Sequence, residues 1–282
     1  MILANTIKQA SQLLRNHNID SCELDAQIIL SNVMGVSKEF LITNDKINVS
    51  KKVRQQYFHA IKRRIKREPV AYITGRKEFW SHSFAVNHST LIPRPETELL
   101  IYKVVNFFKN KKINILDVGT GSGCILLSIL KELNFSRGTG IDVSMKAIQM
   151  AKTNSRELHL FYRSIFKIFD INEFNVGKYD LIVSNPPYIS SKDIKKLSRD
   201  IINYEPLVAL NGGLDGLDLI KKVIYKSDVL LKRNGLLAIE IGYGQYRKIS
   251  SILKQRGFRE VGKEYDSNRN VRCIISTKAR FY

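Results

Sequence analysis

The sequence has few cysteines and no long apolar run. Its three cysteines, Cys22, Cys124 and Cys273, lie far apart, and no Cys-x-x-Cys or His-Glu-x-x-His spacing occurs. This pattern excludes a disulfide framework and predicts that the chain binds no metal. No apolar run approaches the roughly 18 residues that span a bilayer, and the first residues predict an amphipathic helix rather than a secretory signal. We therefore expect a soluble protein of the reducing cytoplasm, with no membrane partner.

Acidic residues are also scarce. The 26 Asp and Glu residues are outnumbered by 46 Lys and Arg residues, which gives a formal net charge of +20. The excess is spread almost evenly along the chain, without a basic tail. Two interpretations stay open: a general compositional bias towards lysine, isoleucine and asparagine, or a weak, nonspecific attraction to RNA or ribosomes.

The first quarter of the chain predicts a small helical bundle. Residues 1–70 carry apolar stripes at helical spacing, and Ser37 and Ser50 stand where helix N-caps are expected. The helix that follows Ser50 has many basic residues over 51–67. Such a charge run is typical of a solvated face, although it is also the strongest basic patch in the chain. A bundle of this kind suits recognition better than catalysis.

The remainder of the sequence, after residue 70, predicts an α/β domain. Aromatic and β-branched residues around polar turns at 71–92 indicate a β-hairpin linker, and 93–282 form the larger domain. From residue 113 strands alternate with helices, which is typical of a parallel sheet. The predicted strands are 113–118, 137–142, 159–163, 180–185 and 235–241, with a final pair near 259–265 and 271–276. The predicted helices after residue 113 are about 123–133, 144–154, 215–232 and 245–256.

A glycine-rich turn follows the first strand of this domain. The segment Asp117-Val118-Gly119-Thr120-Gly121-Ser122-Gly123-Cys124 differs from the dinucleotide fingerprint, because Cys124 stands where glycine or alanine is required. It suits a cofactor with a zwitterionic amino-acid tail, whose ammonium would meet Asp117. Asp142 ends the next strand, where a carboxylate can accept hydrogen bonds from ribose hydroxyls.

A second motif, Asn185-Pro186-Pro187-Tyr188, follows a short buried strand. Alone it is compatible with an ordinary strand-to-loop turn. It also suits the binding of a planar amide or amino group: the Asn185 oxygen and the Pro186 carbonyl would each accept one N–H, and the Tyr188 ring would stack on the flat face. Together with the glycine-rich turn and Asp142, in this order, the motif indicates a functional site in which the nitrogen lone pair of the bound group is aimed at an electrophile.

At this point the sequence resembles the Rossmann-like S-adenosylmethionine methyltransferases. Within them it resembles the peptide chain release factor glutamine methyltransferases (PrmC/HemK), over nearly its whole length. The segments that carry the resemblance are 67–75, 78–80, 91–98, 117–123, 185–188 and 204–210. The Asn-Pro-Pro-Tyr motif is shared with nucleic-acid amino methylases, and the Arg-Glu-Pro and Ile-Pro-Arg-Pro-Glu-Thr-Glu segments are the family-specific part.

The resemblance implies an enzyme of translation termination. It would methylate N5 of the glutamine in the Gly-Gly-Gln loop of class 1 release factors, with S-adenosyl-L-methionine as cofactor. Because a glutamine side chain is too small for the Asn-Pro-Pro-Tyr motif alone to select it, we further expect region 1–70 to dock the release factor. The implied cofactor-binding residues are Asp117, Gly119, Thr120, Gly121, Ser122, Gly123, Asp142 and Asn185. The implied catalytic and substrate-binding residues are Asn185, Pro186, Pro187 and Tyr188.

One segment departs from the family pattern. The family places an acidic residue and then a bulky one after the third strand, near the adenine. With that strand at 159–163, the counterpart is Ser164-Ile165-Phe166, so Ile165 is the predicted adenine contact. The alternative function is that of a nucleic-acid adenine N6-methyltransferase, but the chain has no separate base-recognition region.

Overall fold

The computed structural model describes residues 1–278, which form two compact units. The helical unit comprises Met1–Arg76 together with Ser198–Tyr204. The α/β unit comprises Lys77–Leu197 together with the described residues from Glu205 onward. No helix within residues 1–278 combines the length and the apolar character needed to cross a membrane.

The described residues contain helices and strands in the following order. The helices are α1 (Leu3–Asn16), α2 (Cys22–Met34), α3 (Lys38–Thr43), α4 (Lys51–Ile65), α5 (Val70–Thr74), α6 (Glu98–Phe108), α7 (Cys124–Glu132), α8 (Met145–Glu157), α9 (Arg199–Tyr204), α10 (Asp218–Leu230) and α11 (Tyr246–Gln255). The strands are β1 (Arg76–Phe79), β2 (His82–Ala85), β3 (Asn114–Val118), β4 (Arg137–Asp142), β5 (Ser164–Ile168), β6 (Tyr179–Ser184), β7 (Leu231–Glu240), β8 (Phe258–Tyr265) and β9 (Val271–Lys278).

The helical unit packs its apolar stripes around Leu14, Leu30 and Tyr57, all of which are fully buried. The two predicted N-caps are confirmed, because the Ser37 and Ser50 hydroxyls accept hydrogen bonds from the third backbone N–H that follows each of them. Each bond satisfies one of the N–H groups that a helix start leaves without a partner.

A buried ion cluster ties α9 to the other helices of this unit. The Arg64 guanidinium donates from Nε to Asp25 and from Nη1 to Asp200, with both contacts at 2.7 Å. The Tyr204 hydroxyl donates to the Lys66 carbonyl at 2.8 Å. Removing one carboxylate would leave a buried charge partly unpaired, which is strongly destabilising. The sequence did not predict that this distant segment belongs with the first five helices.

The α/β unit is built on a seven-stranded sheet with the order β5-β4-β3-β6-β7-β9-β8. The first five strands in this order are parallel, and β9 runs antiparallel between β7 and β8. Helices cover both faces, so the central strands are short apolar runs that are buried on both sides. The predicted α/β fold with a seven-stranded sheet is confirmed. β3, β4 and β6 end at the same edge and bring the predicted motifs to one place.

The short two-stranded sheet β1–β2 packs into the α/β unit. Phe79 and Phe84 belong to its hydrophobic core. The Asn154 side chain in α8 accepts from the Ala85 N–H at 2.7 Å and donates to the Ala85 carbonyl at 3.0 Å. This part of the predicted 71–92 linker is therefore structurally part of the larger unit.

The strand predicted at 159–163 is wrong. α8 continues to Glu157, and His159 in a left-handed turn (φ +57°) separates the helix from β5, which starts at Ser164. Phe161 and Tyr162, which lie within the predicted strand, are exposed in the turn. The Arg163 guanidinium donates to the carbonyls of Leu130, Leu133 and Ser136 around the end of α7. These bonds position the turn, and the periodicity of the sequence does not indicate them.

Candidate active site

The glycine-rich turn links β3 to α7. Gly119, Gly121 and Gly123 all have positive φ, which L side chains rarely adopt. A Cβ placed on Gly119 or Gly121 would meet no atom within 4 Å, so the outer side of the turn is open. The backbone of this turn can therefore approach a ligand closely.

Asp117 lies fully buried beneath the turn. One carboxylate oxygen accepts from the Thr120 hydroxyl at 2.6 Å, while Oδ1 has no hydrogen-bond partner among the described residues. Burial raises the pKa of Asp117 to about 7, against a smaller opposing effect of the Thr120 bond. The buried carboxylate thus favours a cation above the turn, as expected for a cofactor that carries an ammonium group.

Asp142 ends β4 beside the turn. Its carboxylate accepts from the N–H of Gly121 at 3.0 Å and from the N–H of Ser144 at 2.9 Å. Burial raises the pKa of Asp142, and these backbone bonds oppose the shift. Each carboxylate oxygen keeps further acceptor capacity, which a pair of ribose hydroxyls can use.

The glycine-rich turn and Asp142 line a cavity of about 1010 Å³, a volume that includes open solvent at its mouth. Among the residues predicted for the cofactor or the substrate, the cavity is lined by Gly119, Thr120, Gly121, Ser122, Asp142, Asn185 and Pro187. The predicted residues outside the lining are Asp117, Gly123, Ile165, Pro186 and Tyr188. The structure therefore brings the glycine-rich turn, the acidic strand end and the Asn-Pro-Pro-Tyr motif to one cavity.

Ile165 lies away from this cavity. It stands within β5, paired with Thr139 of β4, and its side chain is exposed. Since β5 continues to Ile168, the residues that follow the strand are Phe169, Asp170 and Ile171, and all three line the cavity. An acidic residue followed by a bulky one is thus present after the third strand, as in the family pattern. Sequence reasoning missed Asp170 and Ile171 because it ended the strand five residues too early.

The Asn185 side chain has a defined orientation at the end of β6. Its Nδ2 donates to the Thr97 hydroxyl at 3.0 Å, and that hydroxyl donates to Oε2 of Glu240 at 2.6 Å. No described residue donates to Asn185 Oδ1. The amide oxygen is therefore available to accept a hydrogen bond from a ligand.

Tyr188 lies on the other side of Glu240. Its hydroxyl donates to Glu240 Oε1 at 3.4 Å and accepts from Arg272 Nη2 at 3.1 Å. Burial raises the pKa of Tyr188 to about 12, so the phenol is neutral at physiological pH. Neither Glu240 nor Arg272 was predicted as part of the site, because each lies in a strand sequence that also suits an ordinary sheet.

Glu205 fixes the family-specific segment before α6. Its buried carboxylate forms an ion pair with Arg94 and accepts from the Ile92 N–H at 3.3 Å. Arg94 also lines the cavity. The ion pair with Glu205 therefore holds one charged residue of this segment at the cavity.

We expect Asp142→Ala to weaken the binding of S-adenosylmethionine by about 1–3 kcal/mol, which is typical for the loss of hydrogen bonds to a charged group. Isothermal titration calorimetry of the folded variant measures this change. Glu157→Ala, at the exposed end of α8, is a matched acidic control. Unchanged affinity in Asp142→Ala would refute the assignment of this carboxylate to the ribose.

Comparisons with known proteins show which family the chain is similar to. Family models match the chain as "PrmC N-terminal domain" over residues 5–75 and as "Methyltransferase small domain" over residues 95–213. In the solved structure of a ribosomal protein L11 methylase from Lactobacillus delbrueckii, which is 20% identical, the similar region covers 66% of this chain and 81% of that one, with a TM-score of 0.50. This likeness shows the fold alone.

Curated relatives extend over nearly the whole chain. The release factor glutamine methyltransferase of Clostridium acetobutylicum is 36% identical over 99% of both chains. That of Rhodospirillum rubrum is 34% identical over 99% of this chain and 86% of its own length. The protein therefore belongs to the release factor glutamine methyltransferase family.

Proposed function

We propose that this protein transfers a methyl group from S-adenosylmethionine to N5 of the glutamine in the Gly-Gly-Gln loop of class 1 release factors. The observation that carries the proposal is the orientation of Asn185. Its amide nitrogen is held by Thr97, and its oxygen is available at the cavity. An acceptor in this position suits a substrate that presents N–H groups.

The residues present fit S-adenosylmethionine. The open glycine-rich turn would hold its amino-acid part above the charge of Asp117, and Asp142 would accept from its ribose hydroxyls. Asp170 and Ile171 would lie near its adenine, in place of the Ile165 that the sequence suggested. When bound, the cofactor supplies an electrophilic methyl group on a sulfonium.

The Asn-Pro-Pro-Tyr motif would orient the glutamine amide. Asn185 Oδ1 and the Pro186 carbonyl would each accept one of its N–H protons, so that the nitrogen lone pair faces the methyl group. An amide nitrogen is a poor nucleophile, because its lone pair is delocalised. Orientation and the two carbonyl dipoles, which stabilise the positive charge that develops on nitrogen, would contribute most of the rate. The N-methylated product would then lose its extra proton to water.

Pro187 and Tyr188 would complete the substrate site. Pro187 lines the cavity, whereas the Tyr188 hydroxyl is bound to Glu240 and Arg272. Stacking of the Tyr188 ring on the glutamine amide stays a prediction. The helical region 1–70 would dock the body of the release factor, and the net charge of +20 would add a weak, nonspecific attraction to RNA in the cytoplasm.

Transfer of labelled methyl tests the proposal. The protein is incubated with labelled S-adenosylmethionine and, in separate reactions, a class 1 release factor, the same factor with the glutamine of its Gly-Gly-Gln loop replaced by alanine, DNA and tRNA. We expect label on the intact release factor alone. Equal labelling of the alanine variant would refute the target glutamine. Labelling of DNA or tRNA in place of the release factor would support an adenine methylase.

A further inference from the structure

Two residues outside the Asn-Pro-Pro-Tyr motif determine the orientation of the Asn185 carboxamide. Thr97, at the start of α6, and Glu240, at the end of β7, are 2% and 1% exposed and lie 143 residues apart in the chain. The chain of contacts runs from Asn185 through the Thr97 hydroxyl to the Glu240 carboxylate. Water is therefore largely excluded from the bond between Thr97 and Glu240.

The direction of the hydrogen bonds follows from the number of protons. A threonine hydroxyl has one proton, and an ionised carboxylate can only accept. Since Thr97 gives its proton to Glu240, it can only accept from Asn185. The NH2 end of the Asn185 amide must then face Thr97, which leaves Oδ1 available to a ligand in the cavity that Asn185 lines.

We propose that Thr97 and Glu240 are positioning residues that hold the Asn185 carboxamide with its oxygen towards the substrate nitrogen. The proposal rests on the proposed function, because it assigns the amide of glutamine to the position that Asn185 Oδ1 faces. Thr97 also lines the cavity, but in this role both residues act through Asn185 and not on the reacting atoms. They prevent the Asn185 amide from rotating. A rotated amide would present its NH2 group, in place of its oxygen, to the NH2 group of the substrate.

The surroundings of Glu240 support an ionised carboxylate that responds to pH. Arg272 lies 3.8 Å from Oε1, and the Tyr188 hydroxyl contacts the same oxygen. Burial raises the pKa of Glu240 to about 7; Thr97, Arg272 and Tyr188 oppose the shift, whereas the charge of Glu96 adds to it. The thiols of Cys124 and Cys273 also interact with this carboxylate, and burial keeps both neutral by raising their pKa.

Protonation of Glu240 would remove the constraint on the orientation of the Asn185 amide. A protonated carboxyl can donate to the Thr97 oxygen, so the Thr97 proton becomes free to bind Asn185 Oδ1 and to stabilise the rotated amide. Because the pKa lies near 7, the carboxylate form dominates above this pH and the acid form below it. The rate of methyl transfer should therefore rise with pH through about 7 and then level off.

Two variants of Thr97 test whether its hydroxyl positions Asn185. At pH 8, with saturating S-adenosylmethionine and release factor, we expect Thr97→Val to lower the single-turnover rate about tenfold through loss of positioning. Thr97→Ser, which keeps a hydroxyl, should restore most of the rate. If wild type methylates release factor and Thr97→Val is equally fast, the positioning role is wrong. If wild type transfers no methyl at all, the proposed function itself is wrong.

The pH dependence of the rate of Glu240→Gln distinguishes a positioning role of Glu240 from a merely structural one. An amide does not titrate, so its rate should be low and flat between pH 6 and pH 8, and wild type should fall towards that level at pH 6. Saturating S-adenosylmethionine removes the effect of Asp117, which also has a pKa of about 7 but acts on cofactor binding. A Glu240→Gln variant that keeps the pH dependence of wild type would overturn the proposal, whatever the folding of the Thr97→Val variant.

Discussion

Replacement of Asn185 by alanine is expected to reduce methyl transfer about a hundredfold or more, while the affinity for S-adenosylmethionine changes little. The variant loses one of the two acceptors that orient the glutamine amide, and it also frees the Thr97 hydroxyl that holds Asn185 in place. Loss of orientation lowers the rate of the chemical step more than it lowers binding. Single-turnover transfer to release factor and calorimetry with S-adenosylmethionine separate the two effects.

Asn106→Ala provides the matched control for this experiment. Asn106 lies on the exposed face of α6, so its replacement should change neither measurement. If Asn185→Ala transferred methyl at nearly the rate of wild type, Asn185 would be a turn residue only. If its cofactor affinity fell as far as its rate, its role would be binding rather than positioning.

Removal of the helical region is expected to abolish most activity on intact release factor and to preserve S-adenosylmethionine binding. A glutamine side chain is small, so the Asn-Pro-Pro-Tyr motif alone cannot distinguish one exposed glutamine from another. Discrimination therefore needs a second surface, and the residues that line the cavity belong to the α/β unit. The shortened chain should begin at Lys77, because a later start at Leu91 would remove Phe79 and Phe84 from the core.

A short Gly-Gly-Gln peptide controls for damage to the active site. Because it makes no contact with a docking surface, it should be an equally poor substrate for the shortened and the full chain. If the shortened protein methylated release factor as well as the full chain did, the docking role would be refuted. Loss of activity on the peptide as well would mean that the catalytic centre itself was damaged.

The sequence predicted the parts of the site that short segments encode. The glycine-rich turn, Asp142 and Asn185 each follow a strand, and parallel strands end at the same edge of a sheet. Their meeting at one cavity therefore follows from local patterns and the topology. The adenine contact was wrongly assigned to Ile165 because the end of one strand was misplaced. Strand boundaries depend on turn contacts such as those of Arg163.

Contacts between distant residues could not be predicted in this way. In the sequence, Thr97 is compatible with a helix start and Glu240 with a strand end. Only the folded chain places Thr97 Oγ1 2.6 Å from Glu240 Oε2. The pairing of Arg64 with Asp200 is equally remote, since no spacing rule links residues 136 positions apart. Single-sequence patterns report the propensity of a segment and the face that it buries, whereas side-chain partners depend on the packing of whole elements.

The ion pair between buried Arg64 and half-buried Asp200 has a consequence for synthesis on the ribosome. Arg64 emerges 136 residues before its second carboxylate partner. At about 5–20 residues per second, the delay is roughly 7–27 seconds. During this time the first five helices have only Asp25 to pair with Arg64, and the surface that later receives Arg199–Tyr204 is uncovered. We therefore expect the nascent N-terminal region to stay incompletely packed, and susceptible to proteases, until Arg199–Tyr204 has been made, which is after β3, β4 and β6 but before β7.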